Sequence, residues 1–490
     1  MDRGEGEPVA TNDTRAGRLQ NRRVVIAMFA ERGDVGLASA ADRRRVPVGR
    51  HSRMWPHHCD RFSITDTHGP GDGVRSMLTE PEHATPAIVL GDTITALGVM
   101  RRMAKLGVRS YVTSRQPGFE RASRWYHRAP GLDGPPEPGG LETWLSRLAL
   151  ERAVLFPCSD EALVEVAGLS EETKCRFRAS VPPLATATAL VDKSSLAHLL
   201  AAAQIAHPTT VELKRREDLA RVSDAVLSCS FLKPAQSQAF CRAFNVKALH
   251  IDGRRSAEEQ LDRVLSRGFE VVLQEMIPGP ATNQVCIDGF IDREGRTRAR
   301  FARRWLRKLP ADFGESSLAV SIPLAEVAEA VELAERALGL LPYRGFFSVE
   351  LKKHEGDGRY RVLEVNTRPW WYIGFTCAAG IDMCAMAYAD ALDRPVEDAG
   401  PYRIGMHVAY PTLDWHARLR LSPSERESLP KAIATWLSAV QPIFSWSDPG
   451  PSLADIGRRL GARAQLVLGG GRRQDGPRGL ELTDAGGGPA

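Results

Sequence analysis

From residue 86 onward, apolar positions fall into short runs separated by turn residues and by stretches of helical spacing. Residues 87–90 predict a strand, Gly91-Asp92-Thr93 turns the chain, residues 96–106 have helical spacing, and 108–112 predict a second strand. Strand, glycine turn, helix and strand make a βαβ unit, which predicts a parallel sheet. A Pro/Gly loop over 130–140, a helix over 141–150 and a strand over 153–156 continue the pattern into Pro157-Cys158-Ser159-Asp160-Glu161. Ligands of open parallel sheets gather beyond the carboxyl ends of strands, so Asp160 and Glu161 stand where a substrate loop is expected. Capping of a helix over 162–167 is their plainer role.

The pattern changes near residue 185. Asp192-Lys193 precedes a helix through Leu200, and 205–211 leads into an extended run. Phe231-Leu232-Lys233-Pro234 and residues 271–277 predict strands, the latter ending at Pro278-Gly279-Pro280. Residues 285–291 and 298–305 flank a turn at 292–295, a hairpin pattern. Residues 325–338 form an amphipathic helix, and 345–351 and 360–365 are alternating strands joined by a charged turn. An antiparallel half therefore follows a parallel half, so the fold class is α/β and α+β.

In a strand, residues two apart share a face, so Glu364 and Asn366 project together. Pairing of the last two strands brings Glu350 beside them. Two carboxylates and a carboxamide oxygen form a hard-ligand set suited to Mg²⁺, with substrate phosphates and waters completing the shell. A polar, exposed sheet face is the alternative. The flanking Phe346, Phe347, Val349, Leu363 and Val365 favour a site lining a cleft. Lys193 and Lys233 lie in apolar settings, where a phosphate is a natural partner for an ammonium group, although either one alone is more often an ordinary surface lysine. The strand Gln274-Glu275-Met276-Ile277 could offer main-chain groups to a nucleotide base, or be a plain strand. Trp370, Trp371 and Tyr372 form an aromatic wall or packing aromatics.

Composition narrows the function classes. At 490 residues the chain is long enough for two to four units. A net charge of +5 is small for this length and argues against a dedicated nucleic-acid binder. No apolar run reaches a membrane span of about 18 residues, and the first 30 residues lack a signal-peptide pattern. The 8 cysteines are scattered, without CxxC or zinc spacing. They read as buried, reduced thiols of a cytoplasmic protein. Residues 1–84 hold 5 of the 12 histidines and no lysine, with one strand-like run at 23–29, and read as a flexible or irregular extension. His57-His58-Cys59-Asp60 lacks the second ligand cluster that a zinc site needs.

Six motifs in order carry a resemblance over residues 86–400. They are Asp192-Lys193; Phe231-Leu232-Lys233-Pro234; Gln274-Glu275-Met276-Ile277-Pro278-Gly279; Arg307-Lys308-Leu309-Pro310 with Gly314; Gly345-Phe346-Phe347-Ser348-Val349-Glu350; and Leu363-Glu364-Val365-Asn366-Thr367-Arg368-Pro369-Trp370. With these motifs the chain resembles the ATP-grasp superfamily, and looks most like the D-aspartate-ligase-like and predicted carboligase branch of carboxylate–amine ligases. The resemblance implies an ATP-grasp fold with an N-terminal Rossmann-like (pre-ATP-grasp) domain over 85–185. A small subdomain would cover 186–276, a large subdomain with the metal site 277–400, and a C-terminal extension 401–490, disordered from about 469.

It further implies ATP, with one or two Mg²⁺ ions (or Mn²⁺) held by Glu350, Glu364 and Asn366. Lys193 and Lys233 would reach the phosphates. Gln274, Glu275 and Ile277 would face the adenine, and Asn283 the ribose. Arg368, Arg304 and Lys308 would act on the transferred phosphoryl group, the triphosphate or the substrate carboxylate. The partners implied are a small carboxylic acid and an amine, amino acids among them, with no nucleic acid and no membrane; a homodimer is compatible. The reaction implied is amide formation through an acyl phosphate, with ADP and phosphate released. A bicarbonate-using carboxylase and a poorly catalytic nucleotide-binding regulator are the alternatives. Many relatives carry a glycine-rich phosphate loop after the second lysine, whereas this chain has Ala235-Gln236-Ser237-Gln238-Ala239-Phe240, in which Ser237 would substitute.

Overall fold

Three sheets organise the chain, and the computed structural model describes residues 85–468 apart from 92, 114–117, 132–133, 235–239, 241–242, 245 and 312. The chain divides into Met1–Thr79 and Glu80–Ala490, and every described residue belongs to the second unit. The extension over 1–84, the run at 23–29, the His57–Asp60 cluster, the phosphate loop at 235–239 and the tail from 469 lie outside the described residues.

The first sheet is parallel, in the order β2-β1-β3-β4, with β1 Ala87–Leu90, β2 Ser110–Thr113, β3 Ala153–Pro157 and β4 Phe177–Arg178. β1 and β3 are buried along their whole lengths, as expected for parallel strands covered on both faces. The helix after β3, Asp160–Ala167, is capped by Ser159, whose side chain accepts from the Ala162 N–H. Ser159 therefore does the capping expected of Asp160 and Glu161, and Asp160 keeps its carboxylate for another partner.

The second sheet is antiparallel, in the order β5-β8-β6-β7, with β5 Thr210–Leu213, β6 Ser230–Pro234, β7 Leu249–His250 and β8 Val271–Glu275. Helix Gly253–Leu265 covers one face through Ala257, Leu261 and Val264, at helical i, i+4, i+7 spacing. The third sheet has six strands, in the order β13-β12-β9-β10-β11-β14. Its members are β9 Gln284–Ile291, β10 Thr297–Leu309, β11 Glu315–Ile322, β12 Gly345–Lys353, β13 Tyr360–Asn366 and β14 His407–Ala409. Val285, Ile287, Phe347, Val349 and Leu351 point to one face and pack on helix Ala328–Leu338. The alternate residues Gln284, Asp288, Ser348 and Glu350 point to the other. Gly345, at φ +97, starts β12 against the segment that follows β4, where a Cβ would stand 2.4 Å from the Ser180 carbonyl oxygen.

Gly314 leads into strand β11, in which Ser316 and Ser317 are buried. The C-terminal extension folds, up to residue 468, into β14 and helices Pro411–Leu419, Leu429–Ser438 and Gly450–Leu468. It is tied back through Asp448, whose carboxylate accepts from Arg101 Nε at 2.9 Å and Ser123 Oγ at 2.7 Å. Cys158, Cys286 and Cys384 are buried free thiols as expected, whereas Cys175 and Cys229 are exposed. Among the described residues no helix is long and apolar enough to cross a membrane.

Candidate active site

The polar face of the six-stranded sheet and the edge of the second sheet enclose a cleft of about 600 Å³. Glu350 on β12 lies directly opposite Glu364 on β13, and Asn366 Nδ2 stands 3.4 Å from Glu350 Oε1. The register behind this contains a bulge. Glu350 pairs with Glu364 but Leu351 pairs with Val362, so Leu363 is an extra residue. Tyr360 and Val362 pack into the helix-covered core, and so does Val365, three residues on. Without the bulge, strict alternation would carry Glu364 into that core, where an unpaired carboxylate is costly.

Lysines from two other elements meet this pair. Lys233 on β6 donates to Glu364 Oε2 at 3.3 Å, and Lys193 at the start of helix Lys193–Ala202 approaches Oε1 at 3.9 Å. Burial penalises the Glu364 carboxylate, but the ammonium groups of Lys233, Lys193 and Lys247 outweigh it and hold the carboxyl well below the usual range. Glu350 moves the other way. Burial and the charge on Glu364 push it up, against Arg303, Lys247 and Lys233. Burial also pushes the Lys233 ammonium down. Two carboxylates forced together, one of them resisting ionisation, are what a divalent cation would relieve. Among the described residues no three His, Cys, Asp or Glu side chains gather as a metal site. An ion here would thus take these two carboxylates and the Asn366 carboxamide, with phosphate oxygens and waters supplying the rest.

The far wall comes from the parallel sheet. Arg368, just beyond β13, donates through Nε to Asp160 Oδ1 at 2.6 Å, and both line the cleft. Trp370, Trp371 and Tyr372 line it as well. Across the mouth, Lys247 pairs with Glu315, and Phe313 meets Phe231 with ring centroids 4.5 Å apart.

Most of the sequence-derived candidates converge. Lys233, Gln274, Glu275, Ile277, Lys308, Glu350, Glu364, Asn366 and Arg368 line the cleft, and Lys193 reaches it through Glu364. Glu275 is tied reciprocally to Thr209, its N–H donating to the Thr209 carbonyl at 2.8 Å and its carboxylate accepting from the Thr209 N–H at 2.9 Å. The Ile277 carbonyl accepts from Lys352 Nζ at 2.7 Å. Two candidates stand elsewhere. Asn283 is not among the cleft-lining residues; its Nδ2 donates to the Lys353 carbonyl at 3.1 Å. Arg304 points to the opposite sheet face, where it pairs with Glu326 at 2.5 Å. Strand alternation is the reason, since its neighbours Arg303 and Trp305 take the cleft side. Lys308 would follow Arg304 to the far side but for irregularities on either side of Arg307, which return it to the cleft opposite Ser316.

The sequence reading passed over Arg303, Lys247, Lys352, Gln284 and Glu315. Gln284 Nε2 donates to Glu350 Oε2 at 3.2 Å. Alternation with Glu350 points to Lys352, and alternation with Trp305 points to Arg303. No local pattern marks Lys247.

Residues 271–412 match the family model described as ATP-grasp in the biosynthetic pathway with Ter operon. D-aspartate ligase of Enterococcus faecium (strain Aus0004) is 23% identical over 283 residues, which cover 53% of this chain and 65% of that protein. Carboxyaminoimidazole ribonucleotide synthase from Aspergillus clavatus, solved with ATP, superposes with a TM-score of 0.50 at 14% identity, over 66% of this chain and 80% of that one. Residues 271–412 thus match an ATP-grasp family model, and the chain carries the ATP-grasp fold.

Proposed function

We propose that this chain is an ADP-forming carboxylate–amine ligase that uses Mg-ATP. The observation that carries the reading is the convergence of Lys193 and Lys233 on Glu364, itself paired with Glu350 and Asn366. Phosphoryl transfer needs positioning and charge neutralisation more than a protein nucleophile, and this site supplies both. The similarity to a D-aspartate ligase supports amino acids as the substrate class. The free thiols support a reducing, cytoplasmic setting.

In this reading Glu350, Glu364 and Asn366 hold Mg²⁺, which when bound neutralises phosphate charge. Lys193 and Lys233 exchange Glu364 for phosphate oxygens as the nucleotide enters. The β8 edge at Gln274–Ile277 seats the base, and Arg368, oriented by Asp160, faces the transferred group. A substrate carboxylate oxygen bonds to the γ-phosphorus while the bond to ADP breaks. The amine nitrogen then bonds to the acyl carbon, phosphate leaves with the C–O bonding pair, and the amine gives up a proton. The divisions near 185, 276 and 400 belong to the same reading.

The test is phosphate release from ATP and Mg²⁺ with pairs of amino acids. Release that needs one acid and one amine together, and is lost in Glu364→Gln, is expected. Release dependent on bicarbonate without an amine, or on no added substrate at all, would overturn the ligase reading.

A further inference from the structure

The cleft floor holds an arginine to which the reading above gives no role. Arg303 is 4% exposed, and its Nε donates to Asp288 Oδ2 at 2.7 Å. Its Nη2 stands 3.5 Å from Asp288 Oδ1 and 3.4 Å from Ser348 Oγ. Asp288 and Ser348 are both fully buried, so they fix the guanidinium without competing solvent. The Tyr372 ring lies 5.9 Å from Cζ and limits tilting of the plane. All these bonds use Nε and Nη2. Among the described residues Nη1 finds no partner, although Arg303 lines the cleft. Nη1 is not buried, so water can satisfy it in the free protein, and a guanidinium anchored through its other two nitrogens can offer this one to an anion.

Strand register says which ligand. Arg303 stands opposite Cys286, Cys286 opposite Glu350, and Glu350 opposite Glu364, so the four residues form one row across the sheet. At about 4.8 Å per strand, Arg303 lies roughly 10 Å from Glu350 and roughly 14 Å from Glu364, backbone to backbone. Lys193 and Lys233 gather at the Glu364 end, where the phosphates belong. The gap left between side chains reaching from both ends matches a short acid whose reacting carboxylate sits at the metal end.

We propose that Arg303 is a specificity-determining residue that binds, through Nη1, a carboxylate of the acid substrate other than the one that is phosphorylated. This rests on the ligase reading. A planar carboxylate suits a guanidinium edge better than it suits an ammonium group. Asp288 orients the fork and offsets part of its charge, so the bound acid can leave.

The test is calorimetric titration of the full chain, in the presence of MgADP, with succinate and with propionate as the one-carboxylate control. Wild-type protein is expected to bind succinate about tenfold more tightly than propionate, the scale of one charge-assisted hydrogen bond. Arg303→Lys keeps a charge beside Asp288 but loses the forked edge. It should lose the preference while binding MgADP as the wild type does. Arg303→Met with Asp288→Asn removes both buried charges together, which proteins tolerate better than removing one, and should behave alike. Equal affinity for the two acids in the wild type, or a preference kept by both variants, would overturn the assignment of Arg303 alone. Failure of the wild type to bind MgADP would overturn the nucleotide reading, and this proposal with it.

Discussion

Arg368 Nε donates to Asp160 Oδ1 at 2.6 Å, joining a residue two beyond the end of β13 to the first residue of the helix that follows β3. Burial disfavours the guanidinium, and the Asp160 charge more than restores it, so Arg368 is held firmly ionised. Asp160→Asn keeps the shape but withdraws the charge that aims Arg368. Substrate-dependent phosphate release is expected to fall by about 10- to 100-fold, the scale of a misplaced catalytic group. Unchanged turnover would show that Arg368 needs no orientation.

The irregularities around Arg307 make a sharp contrast testable. Lys308→Ala removes a cleft cation and should lower turnover about a hundredfold, as loss of one preorganised electrostatic contact does. Arg304→Ala removes only a half-exposed pair with Glu326, worth about 0–1 kcal/mol, and should leave turnover within about threefold. Steady-state kinetics on the two variants side by side would reverse this assignment if Arg304→Ala proved the more damaging.

Asp292 turns the β9–β10 hairpin and predicts an acid-side loss of stability. Burial opposes its charge, but the Arg296 N–H, at 2.8 Å, and the Arg298 guanidinium hold its carboxyl below the usual range. A carboxyl lower in the folded than in the unfolded chain adds stability that is full above about pH 4 and fades as pH falls through the folded value. Asp292→Asn should therefore cost about 1–3 kcal/mol at neutral pH and flatten the drop in melting temperature between about pH 5 and 3. An unchanged pH profile would contradict this.

Gly345 combines φ +97 with the close approach of the Ser180 carbonyl oxygen. Gly345→Ala brings both a strained backbone and a steric clash, so a loss of about 1–3 kcal/mol is expected in urea titration. A gain, as at unstrained glycines, would mean the joint yields freely.

Much of the candidate site was legible in the sequence because local rules govern it. Glu350, Glu364 and Asn366 show themselves through alternation, and their apolar neighbours mark which face is core. Arg304 shows the limit of that reasoning, since a run of Arg303-Arg304 offers two cations and only the register says which one faces the cleft. The extra residue Leu363 leaves no mark in the sequence, yet it keeps Glu364 out of the helix-covered core.

By itself the sequence determined the parallel-then-antiparallel order of strands, the hairpin that sets Glu350 against Glu364, and the lysines that accompany them. These follow from apolar periodicity and turn chemistry, which act over a few residues. Only the tertiary structure decided that Asp160 meets Arg368, that Lys247 crosses to Glu315, and that Asp288 holds Arg303 at the cleft. Such pairings join residues from separate strands and sheets, and they depend on bulges and sheet docking. Their energies come from long-range packing, to which local sequence pattern is nearly blind.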